Sequence, residues 1–561
     1  MGGDGPRGAL PARVSRNLPL ALSGAARRFA EDPWRGRVAL DRAWRRFRGA
    51  RSAGTPARGR GPSAALRRAV AIDDLAAAED VLARLGVDDP QRPMAEGAVL
   101  LLRGRIDALL GSTPEDPRAR PWRRAAQRQA RMLGSSLPAS LRGPRVEPPV
   151  EATRSRPPAR ILHVVTNSLP LTQAGSTIRT QGVVHAQRSA GWDAQVVTRP
   201  GYPVLYGELD AARLQVVDGV PYHRLLPTLM PPADGVDREY RRLLDELVRD
   251  LDPHLLHAAS DHVNARAALE VGRARGIPVA YEVRTFFEDT WLASHGGEES
   301  RDSDVYRLLR ERHTEVILAA DSVTTLSDAM RDEILARGAS PDRVVVTPNA
   351  VDPSFLSPRV PAPRAREALG LPEAYWVGSL ATFQRYEGLE TLVDAVAGLR
   401  DAGSDARILL VGDGPALADL RARAASAGVP LVAPGRVPFA EVLGYYDALD
   451  VFALPRTATA LNERVTALKP LEAQARGLPV VGSDLPAVRE VVPTESPLVP
   501  AGDAPALAAA LAVLADPVAR AERGEAARAW VASCRTWPYV TEAYRGAYAA
   551  LGVPVGASGR P

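Results

Sequence analysis

Residues 375–414 read YWVGSLATFQRYEGLETLVDAVAGLRDAGSDARILLVGDG. An apolar run, YWVGSLA, gives way to a stretch of helical pattern from about Glu390 to Arg400, and then to a second apolar run, ARILLVGDG. Short continuous apolar runs bounded by glycines mark strands buried on both faces, and the helical stretch is the crossover that two parallel strands require. The segment therefore reads as a βαβ unit, which makes the fold α/β.

The same alternation continues on both sides. Towards the C-terminus it runs through a helix at 416–427, PLVAPG (430–435), a helix at 439–446, VFALP (451–455), a helix from Pro470 to Arg476 and PVVGSD (479–484). Two last helices are expected at 504–514 and 518–550. Towards the N-terminus, RILHVV (160–165), DAQVVT (193–198), LLHAA (255–259), PVAYEV (278–283), SVTTLS (322–327) and RVVVTPN (343–349) alternate with helices at 176–190, 237–251, 264–275 and 303–319. A proline-rich interruption separates the two series. The expected architecture is α/β: two tandem doubly wound Rossmann-like domains with an N-terminal α-helical extension. The expected divisions are 1–155 (basic, helical, ending in a Pro/Arg-rich linker), 156–355, a linker at 356–374, 375–515, and C-terminal helices and tail at 516–561. Paired sheets of this kind present ligand crevices at the carboxyl ends of their strands.

With 561 residues the chain exceeds a single core and calls for roughly three or four units of ordinary size. Its one cysteine, Cys534, excludes an internal disulfide, and eight scattered histidines without a metal-binding spacing point away from a metalloenzyme. No apolar run reaches the ~18 residues that span a bilayer, so the cytoplasm is the expected location. The net charge of +5 conceals an asymmetry: residues 1–150 carry 28 arginines against 15 acids, or +13, and the remainder carries −8. Such a basic region suits peripheral contact with an anionic membrane at its inner face, or is a solvated arginine-rich surface. Duplex nucleic acid is a weaker reading, because the region lacks interleaved aromatics.

Of 71 basic residues, 70 are arginine and one is Lys469, in TALKPLEAQARG (466–477). Pro470 suits a first helical turn and Gly477 a helix stop. The loop ahead of Pro470 therefore offers unpaired amides and the positive end of a dipole, a place for an anion. A compact ammonium reaches between phosphate oxygens as a point charge, where a guanidinium needs a planar approach. Glu472, one turn in, suits acceptance from ribose hydroxyls. The plainer reading is a surface lysine and a glutamate placed by the helix dipole.

From about Arg160 to Leu551 the chain resembles the retaining, nucleotide-sugar-dependent glycosyltransferases of the double-Rossmann (GT-B) kind, a group that includes bacterial polysaccharide and cell-envelope enzymes. The resemblance rests on motifs in the family's order: TLSDAMRDEILARG with RVVVTPNAVD, VGSLATFQRYEGLETLVDAV, ILLVGDGP, APGRVPFAEVLGYYDALDVFALP, and LKPLEAQARGLPVVGSDLPAVREVV. It implies that Gly435, Arg436 and Val437 hold the nucleotide base, that Glu472 binds ribose, and that residues 466–469, with Ala467, Leu468 and Lys469, hold the diphosphate. It also implies that Gly175 lets the first-domain loop approach the donor, with Arg179 behind it as a phosphate contact or a plain surface arginine. No cofactor is implied beyond the nucleoside-diphosphate sugar as co-substrate, and no metal. The partners implied are that donor and a glycan or lipid-linked acceptor.

Three departures matter. The family's two glutamates stand with seven residues between them, yet the matching position is Arg464; Glu463, one residue further off, receives the sugar-hydroxyl role. In the diphosphate clamp the lysine's place falls on Glu387, leaving Arg385 as its cation, so Lys469 is expected to supply the missing charge. An H-x-H pair is reduced to His257 and Ala259; His257 is expected either to contact the donor sugar or to be a buried histidine. Glu282, Arg284 and Glu288, in YEVRTFFEDTW, line the acceptor side or form an internal ion-pair network. A sugar-nucleotide epimerase and a non-catalytic scaffold on the same fold are the alternatives to transfer.

Overall fold

The computed structural model describes residues 12–31, 62–71, 74–111, 120–144 and 158–554. The proline- and arginine-rich linker and most of the N-terminal arginine-rich stretch lie outside them. The chain divides into two compact units, residues 1–323 with 548–561, and residues 324–547.

The first sheet contains β1 (Arg160–Val165), β2 (Asp193–Thr198), β3 (Leu214–Val217), β4 (Val220–Arg224), β5 (Leu255–Ala259), β6 (Val279–Val283), β7 (Ser322–Thr325) and β8 (Val344–Val346), in the order β3-β4-β2-β1-β5-β6-β7-β8. The boundary between the units falls inside β7. Strands β4, β2, β1, β5 and β6 are parallel, and β3 is an antiparallel edge strand on β4. Sequence pattern missed this hairpin: β3 reads LQVV with every residue at least partly exposed, so it lacks the continuous apolar run that reveals the central strands.

The second sheet contains β9 (Trp376–Thr382), β10 (Arg407–Asp413), β11 (Leu431–Gly435), β12 (Val451–Leu454), β13 (Val480–Ser483) and β14 (Leu498–Val499), ordered β11-β10-β9-β12-β13-β14 and parallel throughout. Alternate residues of one strand serve two cores. Ile408 and Leu410 face Leu392, Val396, Leu507 and Leu511, while Leu409 and Val411 belong with Trp376, Tyr446, Leu471 and Val480. This two-sided burial is why the strands read as unbroken apolar runs. Leaving aside the antiparallel edge strand β3, the order in each sheet reverses once, between β1 and β5 and between β9 and β12, and loops at such reversals form the crevices of doubly wound folds.

Two doubly wound units with an N-terminal helical extension are the architecture expected from sequence. The described helices of the extension are packed. Leu66, Val70, Ala98, Leu102, Leu109 and Trp122 form a helical core that includes Val305 of helix Asp304–Ala319, and Arg105 pairs with Asp302 at 2.5 Å. The segment expected as a linker at 356–374 is fastened as well. It carries the helix Ala362–Leu369, Arg366 pairs with Asp450 at 2.6 Å, and Arg476 donates to the carbonyls of Phe355, Ser357 and Pro358.

Gly378 in β9 has no room for a side chain. A Cβ there would stand 2.2 Å from the Leu409 carbonyl oxygen and 2.7 Å from Leu449 Cδ2. The backbone of a paired strand cannot step aside as a flexible side chain can, so Gly378→Ala is expected to destabilise the second unit by about 3 kcal/mol, the upper end for overpacking. A lowered urea midpoint without loss of the first unit's transition is the check.

Candidate functional site

In the second unit the candidate site is built at the end of a buried strand. After β12 the chain makes the short helix Ala460–Arg464, turns through 465–468, and enters the helix Lys469–Ala475, which has Pro470 in its first turn. The turn is held from outside: Asn349 Nδ2 donates to the Thr466 carbonyl at 3.3 Å and Arg456 to the Val465 carbonyl at 2.9 Å. The amides of Thr466, Ala467 and Leu468 donate to no acceptor among the described residues. Three successive free N–H groups on a fixed turn form a concavity for an anion.

Lys469 stands at the end of that run, but not as an unpaired ammonium. Its Nζ is 2.8 Å from Glu472 Oε2, one turn along the helix. The expectation of a lysine reserved for phosphate is corrected to this extent: residues three apart share a helix face, and the carboxylate is within reach. Glu472 is buried, and its Oε2 also accepts from the Tyr446 hydroxyl at 2.7 Å. Burial and the neighbouring carboxylate push the Tyr446 phenol well above its usual range, which keeps it a neutral donor. Both bonds fall on Oε2, so Oε1 has no protein donor among the described residues.

Glu463 is exposed on its short helix and forms no ion pair among the described residues, whereas Arg464, at the spacing position, pairs with Glu333 at 3.2 Å. Asn462 fixes this helix to the β9 loop by donating to the Tyr386 carbonyl at 2.6 Å. Gly435 ends β11 with φ +88°, Arg436 is exposed, and Val437 packs against the core that contains Trp376. The clamp positions differ from expectation. Arg385 is 78% exposed and pairs with Asp419 on the surface, and Glu387 is taken up by Arg456 at 3.2 Å. Tyr446, Asn349 and Arg456 went unassigned in the sequence, because their contribution is a contact across distant segments and no local motif signals it.

In the first unit, Gly175 opens the helix Gly175–Ser189, and a Cβ there would meet nothing within 4 Å. The other assigned residues lie inside the protein. Arg179 is 2% exposed and donates to Glu282 at 2.7 Å; it is neither a surface arginine nor a phosphate contact. Arg284 pairs with Glu282 Oε2 at 2.5 Å and donates to the Ser176 carbonyl and Thr180 Oγ1 at the start of the same helix. Burial raises the Glu282 carboxyl, but Arg284 and then Arg179 outweigh it and hold the group well below the ordinary range. Glu288 is buried 3.2 Å from His313. Of the two readings, Glu282, Arg284 and Glu288 follow the internal network.

His257 is corrected too. It is fully buried, stacked on His163 with ring centroids 4.6 Å apart, and its Nδ1 lies 2.5 Å from the Tyr548 hydroxyl. That hydroxyl accepts from Gln187 Nε2 at 2.8 Å, which leaves its own proton for Nδ1 and directs the imidazole Nε2–H to Glu282 Oε2, 3.7 Å away. The ring therefore orients the network and has no surface open to a sugar. Tyr548 carried no sequence signal; it returns from the chain's far end to a strand almost three hundred residues earlier.

No group of three or more His, Cys, Asp or Glu among the described residues is arranged to hold a metal ion, and no single described helix is long and apolar enough to cross a membrane.

Residues 174–350 match the family model described as a glycosyl transferase 4-like domain, and residues 372–516 match that described as glycosyl transferases group 1. Among curated proteins, the 2-deoxystreptamine glucosyltransferase of Streptomyces kanamyceticus is 32% identical over 225 residues, which is 38% of this chain and 56% of that protein. The chain spans about half the length of the curated relatives it matches. Among solved structures, sucrose-phosphate synthase of Thermosynechococcus elongatus has a TM-score of 0.57 at 20% identity, covering 70% of this chain and 100% of that one. HepE of Anabaena in complex with UDP and glucose has a TM-score of 0.52 at 18% identity, covering 70% and 99%. These likenesses bear out the two-unit α/β fold.

Proposed function

We propose that this chain, which carries a glycosyl transferase 4-like domain followed by a group 1 domain, moves a sugar from a nucleoside-diphosphate sugar to a hydroxyl acceptor with retention of configuration. The observation that carries the reading is the run of free amides at Thr466–Leu468, leading into the chain's one lysine. In this reading the amides and Lys469 receive the diphosphate, the open Oε1 of Glu472 accepts from ribose, and residues 435–437 meet the base. The exposed Glu463 holds sugar hydroxyls. As the bond from the sugar's anomeric carbon to the diphosphate breaks, charge grows on the phosphate oxygens, and donors fixed in advance stabilise that charge more than they stabilise the bound donor. The acceptor hydroxyl forms the new bond on the same face and gives its proton to the departing phosphate. Charge is met here without a metal. The acceptor is a glycan or lipid-linked hydroxyl of envelope polysaccharide or glycoconjugate synthesis, met on the cytoplasmic face of the membrane.

The test is a panel of nucleoside diphosphates and their sugars. A ligand in hundredfold excess over its Kd is expected to stabilise the protein by about 2.7 kcal/mol, with a matching rise in Tm. The product's anomeric proton is expected to keep the donor's configuration by NMR. Absence of any nucleotide-dependent shift would favour a non-catalytic scaffold, and donor conversion without an acceptor would indicate an epimerase.

A further inference from the structure

The first described helix, Ala12–Glu31, docks on the first unit through one stripe of residues. Asn17 Nδ2 donates to the carbonyls of Leu209 and Ala211 at 2.8 and 2.9 Å. Leu20 is buried with Val204, Leu226 and Met230, and Ser23 Oγ accepts from the Met230 amide at 2.9 Å. Positions 17, 20 and 23 recur at helical spacing, so the anchored face is defined and the residues one turn earlier are carried to a fixed place. Those residues are Arg13 and Arg16. Together with Arg213, Ala211, Leu226 and Thr228 they line a cavity of about 160 Å³.

Three guanidiniums around one small cavity repel each other. Arg13, Arg16 and Arg213 are exposed where they line the cavity and form no ion pair among the described residues. A planar fork with parallel N–H donors matches the oxygens of a phosphate group, and the Thr228 hydroxyl and apolar Leu226 suit the ester side of such a group. We propose that this cavity, none of whose lining residues belongs to the Lys469 turn, binds the phosphate group of an anionic ligand. The shared chemistry is a phosphate ester, whether carried by a soluble molecule or by a lipid headgroup.

The experiment uses the full chain and three proteins: wild type, the triple variant Arg13→Gln/Arg16→Gln/Arg213→Gln, and a control of equal charge, Arg120→Gln/Arg238→Gln/Arg364→Gln, whose sites are exposed and do not line the cavity. One arm titrates inorganic phosphate by calorimetry. The other measures co-sedimentation with phosphatidylglycerol–phosphatidylcholine vesicles against phosphatidylcholine alone. Wild type and control are expected to bind alike, with the triple variant at least about tenfold weaker, as for lost charged hydrogen bonds. Loss confined to the phosphate arm identifies a soluble ligand, and loss in the vesicle arm identifies a lipid headgroup. If wild type binds neither probe, or the triple variant binds as the control does, the proposal is overturned. Unchanged circular dichroism and Tm of the triple variant keep the comparison free of misfolding.

Discussion

Lys469→Ala is expected to lower kcat by about 10²–10³-fold while leaving donor affinity within a few-fold, the pattern for a group whose contact strengthens in the transition state. The ion pair with Glu472 at 2.8 Å sharpens the test. Removing the ammonium frees Oε2 of one partner but leaves the Tyr446 hydroxyl bonded to it, so the carboxylate keeps its place and its open oxygen. Ribose recognition should therefore survive. Lys469→Arg should recover little, because a guanidinium on this helix start would fork onto Glu472 and present a different outline to the diphosphate. Single-turnover rates and equilibrium binding of a nucleoside diphosphate separate the two effects. Equal losses in binding and in turnover would assign Lys469 a simple holding role.

Much of the fold was legible because it rests on local rules. Strands β9, β10, β12 and β13 are buried on both faces and so appear as apolar runs, and the Pro470 start and Gly477 stop bracket a short helix that the structure keeps to within a residue. The edge hairpin β3–β4 obeys no such rule, since one face of β3 meets water. The candidate site divides in the same way. The turn at 466–468 has open amides and Glu472 lies one turn into the helix that Pro470 marks, features that a contiguous stretch makes readable. His257, Arg179, Glu282 and Arg284 could not be resolved, because a polar residue beside an apolar strand looks the same in sequence whether it faces a ligand or another buried charge. What decides is the partner, and here the partners are 103 residues away for Arg179 and 291 for His257.

The network those residues form makes the second large prediction. Glu282 is wholly buried, and its two oxygens serve Arg179 and Arg284, both buried. Glu282→Gln keeps the shape and removes the charge, stranding two guanidiniums, which for a broken buried pair costs about 3–5 kcal/mol. The first unit's urea transition is expected to move down accordingly, with the second unit's unchanged. Replacing all three groups, as Arg179→Met/Glu282→Leu/Arg284→Met, should recover much of the loss, because no charge then remains uncompensated. Acid gives an independent reading. The folded Glu282 carboxyl lies well below the usual 4.5, so its contribution is complete above that value and is lost as pH falls toward the folded one, where the unfolded chain already binds the proton. His163, pushed down to about 3 by burial and by His257, acts in the same direction over a higher window, since the unfolded imidazole begins to protonate near 6.5. Wild-type stability should thus decline from about pH 6.5 and steepen below about 4.5, whereas Glu282→Gln should lose the steeper part and keep the shallower. A variant whose stability fell in parallel with wild type across pH 5 to 3 would show that the carboxylate is not what holds the two arginines inside.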